Sequence, residues 1–404
     1  MRAVIKNGTA RGRITAPPSK SIAHRLLICA AMAEGESVIR GVSDCDDVEA
    51  TSDCLRAMGV PVKREGDTVK VRGIDFRTAS PSAPLCCRES GSTLRFLVPV
   101  CLACGKNVML TAAQSLLRRP MSVYSALAAE KGYMYSQDET SVMVRGPLQS
   151  GEYRVPGNIS SQFVSGLLFA LPLNPHDSTI VLVPPVESRP YIDLTIDALA
   201  KAGVKAEWRD DRTLFVPGSQ RYKPFDAQVE GDYSGAAFFM ALSALGGSVG
   251  IDGLNRDSIQ GDRVCEEYIS LLRKGSPALY IGDCPDLGPL LFAVAAAGHG
   301  GVFTGTSRLR LKESDRAEAM AEELRCFGTA VTVRDDSVVV YPASFHAPQE
   351  PLHGHGDHRI VMALAVLLTI TGGSILGAEA VSKSFPDFFK KLSDLGIGVE
   401  LYDD

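Results

Sequence analysis

Several loops that run into helix-like segments of this chain carry cations and hydroxyls together. Pro17-Pro18-Ser19-Lys20-Ser21 leads into an apolar run over 22–34, with Arg25 four residues beyond Ser21 and therefore on its face of a helix. Free backbone N–H groups and the positive end of the dipole make a helix start a natural seat for phosphate or carboxylate. Ser19 or Ser21 is expected to cap, and Lys20 adds charge. Ser90-Gly91-Ser92-Thr93 opens another apolar run, with Glu89 before it and Arg95 inside it. Gly91 allows a ligand close to the backbone, and the hydroxyls can donate to anion oxygens. In Arg118-Arg119-Pro120, Arg119 is the candidate for a bidentate clamp on a carboxylate or phosphate. Ser160-Ser161-Gln162 and Ser188-Arg189-Pro190-Tyr191 add hydroxyls, an amide and a cation at further helix starts, a set suited to a polyhydroxylated, phosphorylated ligand. Taken singly, each is equally an ordinary capped helix with solvated cations.

The second half holds a sharper group. Lys312-Glu313-Ser314-Asp315-Arg316 joins a strand-like run to a helix, with Arg308 and Arg310 before it. Asp357-His358-Arg359 opens one helix, Cys284-Pro285-Asp286 another, and Lys383-Ser384-Phe385-Pro386 precedes the last. Cations at helix starts oppose the local dipole, so folding alone gives little reason for them, whereas an anionic ligand does. Asp286 and Glu313 are then the acid/base candidates, being carboxylates among cations. The plainer alternative is a network of structural ion pairs.

These junctions belong to a repeated unit. A small or polar loop, an apolar helix and a short β-like run recur six times, at 19–35 then 37–40, 90–105 then 107–111, 158–173 then 178–183, 232–247 then 248–252, 286–300 then 301–304, and 357–373 then 374–376. Each copy continues into a second, amphipathic helix ending at Gly, at 46–59, 121–132, 191–203, 262–275, 315–328 and 387–396. The first helix of a copy is apolar nearly all round and should be buried; the second should show one face to solvent. Most copies close with two short alternating runs, a hairpin signature. The fourth is truncated near 275–283, with no room for a hairpin, and the strand-like segment 1–14 has no copy of its own and is expected to complete the sixth. The count predicts an α/β protein of two domains with three βαβαββ copies each, one over 19–228 and the other over 1–18 plus 229–404. The chain then crosses between them twice, which favours a hinge and a cleft. A six-bladed solenoid is the alternative, and it leaves the N-terminal strand unpaired.

Composition narrows the partners. The 404 residues carry 42 Lys plus Arg against 47 Asp plus Glu, a net charge of −5, so general nucleic-acid or anionic-membrane binding is disfavoured and any anion needs a local cation cluster. The longest uninterrupted apolar stretch, 360–368, is far short of the ~20 residues of a membrane span, and the N-terminal residues, with Arg2, Lys6, Arg11 and Arg13, lack the apolar core of a secretory signal. Ten cysteines are too few for a disulfide scaffold, so reduced thiols in a cytoplasmic protein are expected. Cys101 and Cys104 have metal-ligand spacing without a second pair, so core packing rather than a metal site is expected there.

In order along the chain, 17–25, 90–93, Arg119-Pro120-Met121, Ser160-Ser161-Gln162, 188–191, Val229-Glu230-Gly231-Asp232, Pro285-Asp286, 311–316, Asp357-His358-Arg359 and Lys383-Ser384-Phe385-Pro386-Asp387 resemble the 5-enolpyruvylshikimate-3-phosphate synthases. The resemblance runs essentially end to end. It implies two inside-out, barrel-like α/β domains of three βαβαββ repeats joined by a double-crossover hinge, and transfer of the enolpyruvyl group of phosphoenolpyruvate to the 5-hydroxyl of shikimate 3-phosphate. No metal or organic cofactor is implied; the partners are these two small molecules, and a cytoplasmic monomer is expected. By the same resemblance Lys20 touches both substrates, and Ser21, Arg25, Ser160, Ser161, Gln162, Ser188, Asp286 and Lys312 bind shikimate 3-phosphate. Gly91, Arg119, Gln162, Arg316, Arg359 and Lys383 bind phosphoenolpyruvate. Asp286 handles the hydroxyl proton and Glu313 the carbon-bound one, with Lys20 stabilising developing charge. Three positions depart from the family pattern: Glu89 stands where many relatives carry Asn, Arg308 replaces a common Asn contact to the shikimate phosphate, and the fourth copy lacks its hairpin. The alternatives are a catalytically inactive anion-binding homologue and enolpyruvyl transfer to UDP-N-acetylglucosamine. Ser21 where the latter carries Asn, and the Asp-His-Arg segment, speak against that transfer.

Overall fold

The computed structural model describes residues 1–403. The chain divides into two compact units, one of Pro18–Glu230 and the other of Met1–Pro17 with Gly231–Asp404, so it passes between them at Pro17 and again at Glu230. Each unit has its own hydrophobic core.

The Pro18–Glu230 unit contains three four-stranded sheets built to one plan. In the third, Gly151–Pro156 pairs in parallel with Ser178–Val183, which pairs antiparallel with Thr213–Val216, and Glu207–Trp208 closes the edge. The helix Ser161–Ala170 lies between the first two strands and Arg189–Lys201 between the second and the hairpin. The first sheet follows the same order, except that its parallel edge strand is Asp226–Gln228, brought back from the end of the unit.

The apolar helices Lys20–Ala31, Gly91–Leu102 and Ser161–Ala170 are buried over most of their length, as their all-round hydrophobicity predicts. Helices therefore occupy the centre and sheets the outside. Gly166 permits a close approach between helices: a Cβ there would lie 2.5 Å from both the carbonyl oxygen of Arg95 and the Tyr124 hydroxyl. Cys101 and Cys104 are buried in this core, as expected.

The other unit repeats the plan with one defect. Its fifth and sixth sheets have four strands, and its fourth has two, Arg11–Thr15 alongside Ser248–Asp252 in parallel. The missing hairpin is the truncation expected near 275–283; Ala278–Tyr280 already belongs to the fifth sheet. The expectation for the N-terminus needs correcting. Only Arg2–Ile5 completes the sixth sheet, between Gly373–Leu376 and Val399–Tyr402, while Arg11–Thr15 serves the fourth. One segment of about 14 residues is too long for a single strand of the usual length, and Asn7 to Ala10 lie between its two strands. The apolar helices here are Tyr233–Ala244, Gly288–Ala296 and His358–Thr371, the last buried from His358 through Thr369. Among the described residues no helix is long and apolar enough to cross a membrane.

Candidate active site

In the Pro18–Glu230 unit the first helix starts at Lys20, whose Nζ lies 2.7 Å from Asp47 Oδ2. Ser19 occupies the N-cap position but, against expectation, makes no capping bond; its buried hydroxyl has no partner. An uncapped helix start beside a lysine and a free hydroxyl suits an anion. Ser21 is half-buried, and its carbonyl accepts Arg25 Nη1 at 2.7 Å. Arg25 is deeply enclosed: Nε donates to Thr195 Oγ1 at 2.8 Å, Nη2 to the Tyr191 carbonyl at 2.8 Å, and the guanidinium stacks 5.0 Å from the Phe96 ring centroid. Burial lowers its pKa to about 10, so it stays a cation at neutral pH. Its other Nη2 hydrogen points to Ser165 at 3.5 Å, so one Nη1 hydrogen remains for a ligand.

Gly91, Arg119 and Gln162 come together. A Cβ on Gly91 would lie 3.3 Å from Arg95 Nη1, 3.5 Å from Gln162 Oε1 and 3.6 Å from Arg119 Nη1, so a side chain would fill the space between them. Arg95 Nη1 holds Gln162 Oε1 at 2.8 Å, and Gln162 Nε2 donates to Ser92 Oγ at 3.0 Å. Ser160 caps its helix by accepting the Gln162 N–H; Ser161 is buried in the first turn. Ser188 is buried at the start of Arg189–Lys201 with φ 56°, a left-handed conformation unusual for a residue with a side chain. Glu89 accepts Ser115 Oγ at 2.9 Å.

Sequence reasoning missed a buried chain of hydroxyls beneath these loops. His24 Nδ1 meets Thr51 Oγ1 at 2.7 Å, Thr51 meets Thr93 at 2.6 Å, and Thr93 donates to Ser90 Oγ at 2.7 Å. Burial, with Lys20 and Arg25 nearby, holds the His24 pKa well below its ordinary value, so the ring is neutral. The chain ties the Lys20 helix to the Gly91 loop. Asp47 was equally hidden, because acidic residues in the first turn of a helix are what the dipole favours anyway.

In the other unit Asp286, Lys312, Glu313, Arg316 and Arg359 form one cluster. Arg316, 1% exposed, donates from Nε to Asp357 Oδ2 at 2.8 Å, from Nη1 to Asp286 Oδ1 at 2.8 Å, and from Nη2 to Glu313 Oε2 at 2.7 Å. Lys312 Nζ donates to the same Asp286 oxygen at 2.9 Å, and Arg359 Nη2 lies 3.7 Å from its other oxygen. Burial works to raise the Asp286 pKa, but Lys312, Arg316 and Arg359 outweigh it and hold the carboxyl well below the usual range. The three carboxylates raise the Arg316 pKa against the effect of burial.

Asp357 is fully buried and caps His358–Thr371 by accepting the Arg359 N–H at 2.9 Å. The sequence placed this aspartate in a motif without revealing that it anchors Arg316. Arg359 differs from the rest. It is 5% exposed, and its Nε and Nη1 have no hydrogen-bond partner. Lys383 Nζ donates to the carbonyl of Gly356, the residue before Asp357, at 2.8 Å. Arg308 is buried in a short 3-10 helix over Ser307–Leu311.

The arrangement is thus an ionised carboxylate and a second carboxylate sharing one arginine, beside a buried guanidinium with donors to spare. That is acid/base chemistry set next to an anion seat.

Comparison with known proteins agrees with the repeat plan and the motifs. In fold, the chain is similar to an EPSP synthase from Acinetobacter baumannii (TM-score 0.79, 23% identity, all of both chains) and to the enolpyruvyl transferase NikO from Streptomyces tendae (TM-score 0.80, 15% identity, 99% of this chain and 98% of that one). In sequence, it is 37% identical over 420 residues to a 3-phosphoshikimate 1-carboxyvinyltransferase of Clostridium perfringens, covering 98% of this chain and 99% of that one. It is 36% identical over 412 residues to the enzyme of that name in Clostridium kluyveri, covering 95% of each. The profile of EPSP synthase (3-phosphoshikimate 1-carboxyvinyltransferase) matches residues 4–392, and the chain belongs to that family.

Proposed function

We propose that the protein transfers the enolpyruvyl group of phosphoenolpyruvate to the 5-hydroxyl of shikimate 3-phosphate, releasing phosphate, with its clustered side chains dividing the work. The hydroxyl oxygen attacks the phosphate-bearing carbon of phosphoenolpyruvate as a proton reaches the methylene carbon, which becomes a methyl group. Then the bond to phosphate breaks and the methyl group returns a proton, leaving a vinyl ether. Asp286 takes the hydroxyl proton: its cationic neighbours keep it ionised, and the two anionic substrates offset their opposition to its protonation as they bind. Glu313 delivers and later removes the carbon-bound proton.

Lys20 touches both substrates and stabilises developing charge. Ser21, Ser160, Ser161, Gln162, Ser188 and Lys312 bind shikimate 3-phosphate, along with Asp286 and the spare hydrogen of Arg25. Gly91, Arg119, Gln162, Arg359 and Lys383 receive phosphoenolpyruvate, together with the Nη1 hydrogen of Arg316 that Asp286 leaves unused. The observation that carries this reading is Arg359, a buried cation with two unpartnered donor atoms beside an ionised carboxylate. A buried guanidinium in that state is costly unless an anion completes it.

The test is phosphate release from phosphoenolpyruvate and shikimate 3-phosphate together. Release that needs both substrates and no added metal is expected. Well-folded protein that binds both without turnover would make the chain an inactive anion-binding homologue.

A further inference from the structure

The helix Arg316–Arg325 enters the proposed reaction only at its first residue. Glu323 lies two turns further along it and is 2% exposed. Its Oε2 accepts the His353 N–H at 3.1 Å, and its Oε1 meets His355 Nε2 at 2.7 Å. His355 itself has φ 50° and Gly356 φ 63°, so the two make a left-handed turn. That conformation is unfavourable for a residue with a Cβ and persists only where its surroundings hold it. The contact with Glu323 holds the His355 side chain.

Gly356 and Asp357 connect this turn to the site. The Gly356 carbonyl accepts Lys383 Nζ at 2.8 Å, the Asp357 N–H donates to the Gly354 carbonyl at 2.9 Å, and the Asp357 carboxylate receives Arg316 Nε at 2.8 Å. The far end of the Arg316 helix is therefore tied to the turn that carries Arg316's own partner and Lys383's acceptor.

We propose that the His355–Glu323 pair is a positioning device that fixes the turn at Gly356 and Asp357 and so sets Lys383 and Arg359 for phosphoenolpyruvate. This rests on the proposed enolpyruvyl transfer and deepens it. The charged groups facing His355 are Glu323 and Glu322 from the helix and Asp357 from its own loop, and the ring of His353 lies 6.3 Å away. The hydrogen bond to Glu323 raises the His355 pKa above its usual 6.5, with burial opposing. The imidazolium form and its hold on the turn are complete at lower pH and fade as pH climbs through that raised value.

Amide hydrogen exchange on the intact protein reads the turn directly. In His355→Ala and Glu323→Gln the Asp357 N–H should lose about tenfold protection, and in the unsubstituted protein the loss should follow pH through the His355 titration. His355→Gly, which relieves the backbone and deletes the ring, should behave as His355→Ala does; His355→Gln, which keeps a donor, should recover part of the protection. In turnover, KM for phosphoenolpyruvate should rise about tenfold in His355→Ala while kcat stays within about twofold. Unchanged Asp357 exchange in both first variants overturns the proposal whether or not the chain turns phosphoenolpyruvate over. Lost protection with an unchanged KM in an active enzyme overturns the link between turn and site. If the unsubstituted protein releases no phosphate, the catalytic reading alone falls, and exchange still decides whether the pair holds the turn.

Discussion

Arg316 and Arg359 carry the same guanidinium in the same cluster, and their surroundings give them opposite mutational signatures. Arg316 satisfies Asp286, Glu313 and the fully buried Asp357, so Arg316→Ala strands buried negative charge. A loss of about 3–5 kcal/mol is expected from breaking such a pair on one side, read by denaturant unfolding. Arg359 leaves Nε and Nη1 unpaired, and its nearest carboxylate oxygen is 3.7 Å away. Arg359→Ala should therefore keep the melting temperature near the parent's while raising KM for phosphoenolpyruvate by at least ~10-fold, the effect of losing a charged contact of about 1.4 kcal/mol or more. Asp286→Asn should stay folded and bind substrates but turn over at least ~100-fold more slowly, as for a lost acid/base group. Near-normal turnover would remove Asp286 from the mechanism. The identities of these residues were legible in the sequence. Which arginine has a carboxylate on every nitrogen and which leaves two nitrogens unpaired was not, because that depends on carboxylates 30 and 41 residues away.

Among elements, the two-stranded fourth sheet shows how the fold absorbs a missing piece. In the other sheets the strand after the apolar helix is flanked on both sides; here Ser248–Asp252 has Arg11–Thr15 on one side only. On the side where a hairpin would pair, the Ser243 hydroxyl accepts the Val249 N–H at 3.0 Å and donates to the Val249 carbonyl at 3.3 Å. One serine thus satisfies part of an edge that would otherwise recruit other strands. Ser243→Ala should lower stability by about 1 kcal/mol and leave kcat unchanged, checked by thermal unfolding and the phosphate assay. An unaltered melting temperature would show that water replaces the serine at no cost. The absence of the hairpin could be read from the short interval after Gly275. The splitting of the N-terminal segment between two sheets could not, since only Ala3-Val4-Ile5 is a strand-like run and Arg11–Thr15 has a single buried apolar residue, Ile14.

For the molecule as a whole, a net charge of −5 and two anionic substrates set long-range repulsion against local attraction. On the proposed assignment the attraction comes from cations largely withdrawn from solvent, such as Arg25, Arg316 and Arg359, and salt screens such contacts weakly. The screening length falls from about 10 Å at 0.1 M to about 3 Å at 1 M salt, which weakens the distant repulsion as well. Accordingly kcat/KM for both substrates should change by less than about threefold across that range, the two effects opposing each other. A fall of a power of ten or more would mean that an extended positive field, rather than a few enclosed cations, gathers the substrates.

Six copies of one helix–strand pattern, the shortened fourth copy and the cation-bearing helix starts are all local features, encoded in hydrophobic period and residue spacing, and the sequence alone determined them. The family followed from the same short segments. Only the tertiary structure decided that Ser19 leaves its helix uncapped, that Asp47 meets Lys20, that Asp357 anchors Arg316, and that His355 grips Glu323 from a left-handed turn. Each of these is a meeting of groups far apart in the chain or a departure from local preference. A linear pattern records which side chains face a core, but not which polar atoms find each other once that core has closed.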